Sequence, residues 1–285
     1  MIDHNTLNQT ARKIAKATCQ LYLYRPNRIG VPYAHGCCVL FQFNDKFYCF
    51  SNAHVLGDQY FGDPFVLTSK NNLNTKGRTT TIGGQYYFTE LPESGKRDDD
   101  PLDMAIVQLT TDCANDLKAR GYLFITYDYI NSNYFTENGD RLLVAGYPGS
   151  GTKVNTHFRN VIAKPFYLLT SPYLGNISLD GFNTEYNIAA KYSRGKIFNS
   201  RNGEVQKGPM PHGISGSGLW HINQGEDGKQ EYFLVGILST YIQKRNIIIG
   251  TKIDLFVDLI RQKFDSTIKH QGSGLKILSE KWVTK

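Results

Sequence analysis

The sequence predicts an all-β protein with two strand-rich domains, built as barrels or as a sandwich, and a helix near each end. Aromatic and β-branched segments of strand length, separated by Gly, Asn and Asp, fill most of the chain. These segments are not interleaved with helices, which disfavours alternating β-α-β units. The length of 285 residues corresponds to about two domains at roughly 150 residues per domain.

The individual elements divide the chain into four parts. Strands are predicted over residues 19–24, 37–43, 47–51, 85–88, 105–109, 141–145, 161–168, 232–238 and 246–253. Apolar residues at helical spacing predict helices over 6–18 and 254–264, and a polar stretch over 129–140 separates the two halves. We therefore expect an N-terminal helical segment (1–18), a first β domain (19–128), a second β domain (129–253) and a C-terminal helix with a tail (254–285).

Composition excludes several classes of protein. With 40% hydrophobic and 20% charged residues, including 18 Tyr and 16 Phe, the chain is not expected to be disordered. No apolar run approaches the roughly 20 residues that cross a bilayer, and no secretory leader is recognised in the first residues. We expect no membrane association and a cytoplasmic location.

The cysteines and the basic charge point to no special ligand. The five cysteines show no C-x-x-C pair, and adjacent Cys37 and Cys38 point to opposite faces of their predicted strand. We therefore expect free thiols in a reducing compartment and no metal site. The net charge of +7 is dispersed along the chain without a basic stripe, so nucleic acid is not an expected partner.

Three short segments carry the residue types of a catalytic triad. The run SNAHVL (51–56) places His54 directly after a predicted strand, and LDMAIVQL (102–109) places Asp103 at the head of another. The run GISGSG (213–218) places Ser215 in a glycine-rich loop. A serine hydroxyl is too weakly acidic to attack a carbonyl carbon alone, so an imidazole must accept its proton and a carboxylate must orient that imidazole. The three residues therefore predict nucleophilic catalysis.

The glycines of the serine loop predict a second part of this chemistry. Because Gly213 lacks a Cβ, its N–H can turn toward the same point as the N–H of Ser215. Two such donors would bind the negatively charged oxygen of a tetrahedral intermediate, and each is typically worth about 3 kcal/mol of barrier. We expect Gly213 and Ser215 to form this oxyanion hole.

These motifs resemble those of the chymotrypsin/trypsin-like serine peptidase superfamily, and most closely those of bacterial intracellular proteins with a trypsin-like peptidase domain. His54 matches the A-H motif, Asp103 the D-x-A-[IL]-[IVL]-x-L motif and Ser215 the G-x-S-G-[GS] motif. The runs GYPG (146–149), LVGILS (234–239) and GTKI (250–253) are similar to further segments of such proteins. The resemblance covers about residues 19–264 and implies two antiparallel β-barrels, chymotrypsin-like, with the active site in the cleft between them.

The resemblance also implies how a substrate binds. The backbone of Ser239, Thr240 and Tyr241 would pair with an extended peptide. The further substrate-binding residues expected on this basis are Met210, His212 and Ile248. Pro209 stands where trypsin has an aspartate, so an apolar or small residue is expected before the cleaved bond. No metal or cofactor is required.

Two positions depart from the pattern of secreted relatives. Val55 follows His54 where those relatives have a cysteine that bridges to a preceding strand. Ile214 precedes Ser215 where zymogen-type members have an aspartate that pairs with a newly cleaved N-terminus. An isoleucine cannot form that ion pair, so this mode of activation is excluded.

The sequence therefore predicts a serine endopeptidase acting on protein or peptide substrates, latent until an activating protein partner or a substrate orders the site. The alternative is a catalytically inactive trypsin-like fold that serves as a binding or scaffold module, because triad residues do not report backbone geometry. The helix within residues 1–18 would then cover the cleft or dock on another subunit. The charged run 96–100, which contains the competing carboxylates of Asp98, Asp99 and Asp100, is interpreted as a solvated loop.

Overall fold

Two large antiparallel sheets dominate the architecture. The computed structural model describes residues 4–24, 31–57, 63–67, 79–132, 134–155, 160–195, 197–199, 204–225, 229–268 and 282–284. Within these residues the sheets have eight and six strands, and two short two-stranded ribbons accompany them. The predicted fold class is confirmed: the protein is all-β, with two antiparallel barrels and a helix near each end.

The first barrel is built from the first seven strands. They are β1 (Thr18–Tyr24), β2 (Pro32–Phe43), β3 (Lys46–Ser51), β4 (Phe65–Leu67), β5 (Thr79–Thr81), β6 (Gly84–Thr89) and β7 (Ala105–Leu109). In the sheet they follow the order β6-β7-β3-β2-β1-β4-β5. Since only residues 82–83 separate β5 from β6, the two ends of this sheet meet and it curls on itself. Its interior is apolar and includes Leu21, Leu40, Cys49 and Val107.

The second barrel uses most of the remaining strands. These are β8 (Arg141–Gly146), β9 (Thr152–Asn155), β10 (Asn160–Ala163), β11 (Phe166–Thr170), β12 (Asn187–Lys191), β13 (Ile197–Asn199), β14 (Glu204–Gln206), β15 (Gly218–Gln224), β16 (Gln230–Ile242) and β17 (Ile247–Lys252). The main sheet has the order β11-β8-β15-β16-β17-β12. A bridge between Pro172, two residues after β11, and Ala190 of β12 brings the two edges of this sheet together and closes the barrel.

Two terminal helices pack where the barrels meet. Helices α1 (His4–Lys16) and α4 (Ile253–Lys263) bury Ile14 and Phe256 in one apolar cluster with Phe50 of the first barrel and Trp220 of the second. The described part of α1 therefore supports the interface between the barrels, and none of its residues lines the cleft that contains His54 and Ser215. No helix among the described residues is long and apolar enough to cross a membrane.

Two helices and one strand were not expected from the sequence. The described chain contains helices away from its ends: the single turn α2 (Ala53–Leu56) and the longer α3 (Thr111–Ala119). The Thr110 side chain caps α3 by accepting from the N–H of Cys113, and nine residues are too few for a clear apolar period. A late strand, β18 (Trp282–Thr284), adds to β6 at the outer edge of the first sheet, where a tail was expected.

Candidate active site

His54 and Asp103 meet at one end of the first barrel. His54 lies in α2 directly after β3, and Asp103 lies just before β7, the strand that pairs with β3. Asp103 Oδ1 accepts a hydrogen bond of 3.0 Å from the backbone N–H of His54. Asp103 Oδ2 lies 2.5 Å from His54 Nδ1. The carboxylate therefore holds both the backbone and the ring of the histidine, and Nε2 is the ring nitrogen left for chemistry.

The two partners shift each other's protonation. Burial alone lowers the pKa of His54, but the hydrogen bond and negative charge of Asp103 outweigh it and raise the pKa above its usual range. Burial raises the pKa of Asp103, and the hydrogen bonds from His54 offset part of that rise. The His54 side chain is 34% exposed while that of Asp103 is 8% exposed, so the imidazole faces the cleft and the carboxylate lies behind it.

The backbone of Asp103 is held in an uncommon conformation. Its φ is 42°, in the left-handed region that aspartate tolerates better than most side chains. Its carbonyl oxygen accepts from the N–H of Ala53 at 3.2 Å and from Asn52 Nδ2 at 3.1 Å. These contacts tie Asp103 to the start of α2, so the aspartate and the histidine-bearing helix are positioned together.

The loop that carries Ser215 is attached to both barrels. Gly213 and Gly216 have φ values of 89° and 85°, which only glycine adopts without strain. The carbonyl of Ser215 accepts from the N–H of Cys37 in β2 at 2.7 Å. The N–H of Gly216 donates to the carbonyl of Leu238 in β16, also at 2.7 Å. Ser215 is thus fixed at the line where the two barrels face each other.

Two backbone N–H groups of this loop remain open for a ligand. The carbonyl of His212 accepts from the N–H of Gly149 at 2.8 Å, and a planar trans peptide then directs the N–H of Gly213 the opposite way. The carbonyl of Ile214 is bonded within the loop, which directs the N–H of Ser215 away from that partner in the same manner. Within the described residues, neither of these two N–H groups has a protein acceptor.

The hydroxyl of Ser215 points toward the second barrel. Ser215 Oγ donates to the carbonyl of Ser239 at 3.2 Å. Among the hydrogen bonds of the described residues, none joins Ser215 Oγ to His54. Transfer of the hydroxyl proton to the imidazole therefore requires rotation about the side-chain bond of Ser215.

A single cleft of about 500 Å³ contains these groups. His54, Asp103, Gly213 and Ser215 all line it. The predicted substrate-binding residues that line it as well are His212, Ser239, Thr240, Tyr241 and Ile248. Met210 is not among its lining residues, because the chain enters the wall of the cleft only at Pro211.

Sequence analysis missed several residues of the cleft wall. The lining residues that no motif indicated include Ala34, Arg97, Asp98 and Phe182. They come from β2, from the charged run 96–100 and from the segment before β12, none of which carries a triad motif. The sequence feature that relates Asp98 to the site is its position five residues before Asp103.

The interpretation of residues 96–100 as a solvated loop is wrong for Asp100. This carboxylate is buried and accepts from Thr89 Oγ at 2.5 Å, from the N–H of Leu102 at 3.0 Å and from Arg97 Nη1 at 3.2 Å. A buried charge is costly unless it is paired and hydrogen-bonded, and these three donors supply that compensation. Asp100 therefore fixes the segment that leads into Asp103.

The structure shows what surrounds Val55 and Ile214, the two positions that depart from the pattern of secreted peptidases. A Cβ on Gly36 would lie 2.6 Å from Val55 Cγ1, so the valine side chain fills the space beside a glycine. All five cysteines, which lie in the described residues, are free. Ile214 is buried in the interior of the second barrel with Val144 and Leu219. An apolar contact thus anchors the residue before Ser215.

The architecture is similar to that of solved structures. A structure of a protein named HBP, at atomic resolution, matches with a TM-score of 0.50 and 14% identity, over 88% of this chain and 92% of that chain. The fold is trypsin-like.

Two structures of peptidases match with lower TM-scores. A serine endoprotease from Yersinia pestis matches with a TM-score of 0.48 and 16% identity, over 92% of this chain and 66% of that chain. A Glu endopeptidase solved in complex with MPD matches with a TM-score of 0.47 and 14% identity, over 87% and 90%. No family model and no curated protein matches the sequence.

Proposed function

We propose that the protein is a serine endopeptidase that hydrolyses peptide bonds in protein or peptide substrates. The observation that carries the proposal is the double attachment of His54 to Asp103 inside the cleft that also contains Ser215. A histidine fixed in tautomer and orientation by a carboxylate is the form needed to accept a proton from a serine. The raised pKa of His54 agrees with a role as base and then as acid.

The reaction follows from these positions. Ser215 Oγ turns from the carbonyl of Ser239, gives its proton to His54 Nε2 and attacks the carbonyl carbon of the substrate. The N–H groups of Gly213 and Ser215 bind the oxyanion that forms. His54 then donates the proton to the leaving amine, and a water molecule repeats the attack on the acyl-enzyme. Asp103 stabilises the imidazolium in both steps.

An extended substrate would lie along the cleft side of β16. Ser239, Thr240 and Tyr241 line the cleft beside Ser215, and their backbone would pair with a peptide there. Tyr241 faces Ile248 across the β16–β17 pair, and its ring packs on Tyr192 with centroids 5.3 Å apart. These bulky side chains narrow the cleft next to the nucleophile. A small or apolar residue before the cleaved bond fits this space best.

A second candidate function is a binding or scaffold module with the same fold. The hydrogen bond from Ser215 Oγ to Ser239, in place of one to His54, favours it. The same bond fits a latent peptidase in which a substrate or an activating protein partner reorients the hydroxyl. We place either activity in a reducing, cytoplasmic compartment, because all five buried cysteines are free.

Labelling with a fluorophosphonate probe separates these functions. The probe phosphonylates a serine only where the hydroxyl is activated and an oxyanion hole receives the phosphoryl oxygen. We expect the wild type and the Ser217→Ala variant to be labelled, and Ser215→Ala to stay unlabelled, by intact mass. Ser217 is the matched control because it lies in the same loop and is fully buried. No labelling of the wild type, with peptides bound but uncleaved, would instead support the binding module.

A further inference from the structure

Cys37 of β2 contacts the loop that carries Ser215, and it has no role in the reaction proposed above. Its thiol donates to the carbonyl of Gly213, with 3.2 Å between Sγ and the oxygen. Its backbone N–H donates to the carbonyl of Ser215 at 2.7 Å, and its own carbonyl accepts from Ser51 Oγ at 2.7 Å. One residue of the first barrel therefore holds the carbonyls of both residues that would supply the oxyanion hole.

The thiol holds the carbonyl of a glycine, the residue type with the fewest intrinsic backbone restraints. Gly213 has a φ of 89° and no side chain, so few intrinsic restraints fix the peptide planes on either side of it. The His212 carbonyl is tied to Gly149 on one side, and Cys37 Sγ ties the Gly213 carbonyl on the other. With both neighbouring planes held, the N–H of Gly213 keeps one direction.

The thiol is suited to be a permanent donor. Cys37 is fully buried, and burial raises the pKa of its thiol to about 12. The group therefore keeps its proton at neutral pH and is a poor nucleophile. Cys38, the next residue along β2, points the other way and packs with Cys19 and Cys49 inside the first barrel. Because successive side chains of a strand point to opposite faces, Cys37 faces the serine loop while Cys38 faces the interior of the barrel.

We propose that Cys37 is a positioning residue for the oxyanion hole, whose thiol keeps the N–H groups of Gly213 and Ser215 aimed at the reacting carbonyl. This proposal rests on the peptidase function proposed above. The thiol touches no substrate, so its loss acts on the transition state more than on substrate binding. The expected signature is a fall in kcat with little change in KM.

Three variants test the proposal. Cys37→Ala removes the donor, Cys37→Ser keeps one, and Cys113→Ala is the matched control. The buried thiol of Cys113 also donates to a carbonyl, that of Thr81 at 3.4 Å, but far from the cleft. For Cys37→Ala we expect kcat and the rate of fluorophosphonate labelling to fall about tenfold with KM changed less than about twofold. Cys37→Ser should recover most of this loss, and Cys113→Ala should show none of it.

Amide hydrogen exchange gives a readout that does not need catalysis. We expect faster exchange across residues 211–217 in Cys37→Ala, and exchange close to that of the wild type in Cys37→Ser and Cys113→Ala. If Cys37→Ala leaves exchange in the loop unchanged, the proposal is wrong whether or not the protein is a peptidase. Equal losses of kcat in Cys37→Ala and Cys113→Ala would also overturn it. If the wild type is neither labelled nor hydrolytic while the exchange result holds, it is the peptidase function that fails.

Discussion

A Cβ on Gly216 would lie 1.9 Å from the carbonyl oxygen of Cys37. Strand β2 of the first barrel and the serine loop of the second approach each other at this point without room for any side chain. Gly216 also has a φ of 85°, so the position demands glycine for two independent reasons. The close approach sets how deeply Ser215 sits between the barrels.

The cost of the positive φ and the cost of the steric clash can be measured separately by comparing Gly216 with a second glycine. Gly181 has the same φ of 85°, but an added Cβ there would meet nothing within 4 Å. We expect Gly181→Ala to lower the free energy of unfolding by about 1–2 kcal/mol, the cost of backbone strain alone. Gly216→Ala should lower it by about 3 kcal/mol or more, because β2 must also move. Denaturant unfolding measures both, and equal losses would contradict the steric argument.

Replacement of Asp103 should abolish most activity without unfolding the site. Asn is the informative substitution, because asparagine tolerates the positive φ of this position. We expect kcat of Asp103→Asn to fall about ten-thousand-fold, since the amide favours the wrong tautomer of His54. Asp99→Asn is the control: that carboxylate is exposed and does not line the cleft. A similar loss in both variants would argue that Asp103 has no special role.

The pH profile should report the raised pKa of His54. Activity needs the neutral imidazole, so a raised pKa means that kcat/KM falls with acidification at a midpoint above 6.5. Asp98 contributes to the raised pKa of His54 through its negative charge. Asp98→Asn should therefore lower the midpoint and keep the enzyme active at lower pH.

Asp99→Asn is the charge-matched control for this shift. It removes the same charge from the neighbouring residue, which is exposed and does not line the cleft. We expect the midpoint of its kcat/KM profile to stay close to that of the wild type. Equal shifts of the midpoint in Asp98→Asn and Asp99→Asn would show that the overall charge, and not the position of Asp98 beside His54, sets the midpoint.

Tyr241 should limit the size of the residue before the cleaved bond. Tyr241→Ala removes a ring that packs on Tyr192 beside the nucleophile. We expect the ratio of kcat/KM for a phenylalanine over an alanine at that substrate position to rise about tenfold or more. Thr240→Ala, the adjacent residue on β16, should leave the ratio unchanged, because successive strand residues point to opposite faces. An unchanged ratio in Tyr241→Ala would place the substrate side chain elsewhere.

The sequence predicts those parts of the molecule that depend on local pattern. Short strands separated by turns predict two all-β domains, the motif resemblance implies that these are barrels, and the fold class is confirmed. His54, Asp103 and Ser215 were found because each sits in a short run whose residue types have a chemical reason. The structure adds that these three residues line one cleft. The bacterial and intracellular assignment, and the catalytic roles themselves, stay predictions.

The remaining features depend on contacts between distant residues. The thiol of Cys37 meets Gly213 across 176 positions of sequence, and no local pattern encodes that contact. The hydroxyl of Ser215 adopts one of several rotamers, and the one that bonds to the carbonyl of Ser239 depends on a residue 24 positions away. Met210 was placed in the cleft by counting along the chain, but its loop enters the wall one residue later.

The pairing of β18 with β6 has a consequence for the order in which the protein is made. Strand β6 ends at Thr89, whereas its partner begins at Trp282, after the second barrel and α4. A ribosome adding about 5–20 residues per second needs roughly 10–40 s to cover that distance. During this interval the outer edge of β6 exposes unpaired backbone groups that any extended segment could join. The nascent first sheet is thus open to mispairing until residues 282–284 emerge, and β18 is synthesised after every residue that lines the cleft.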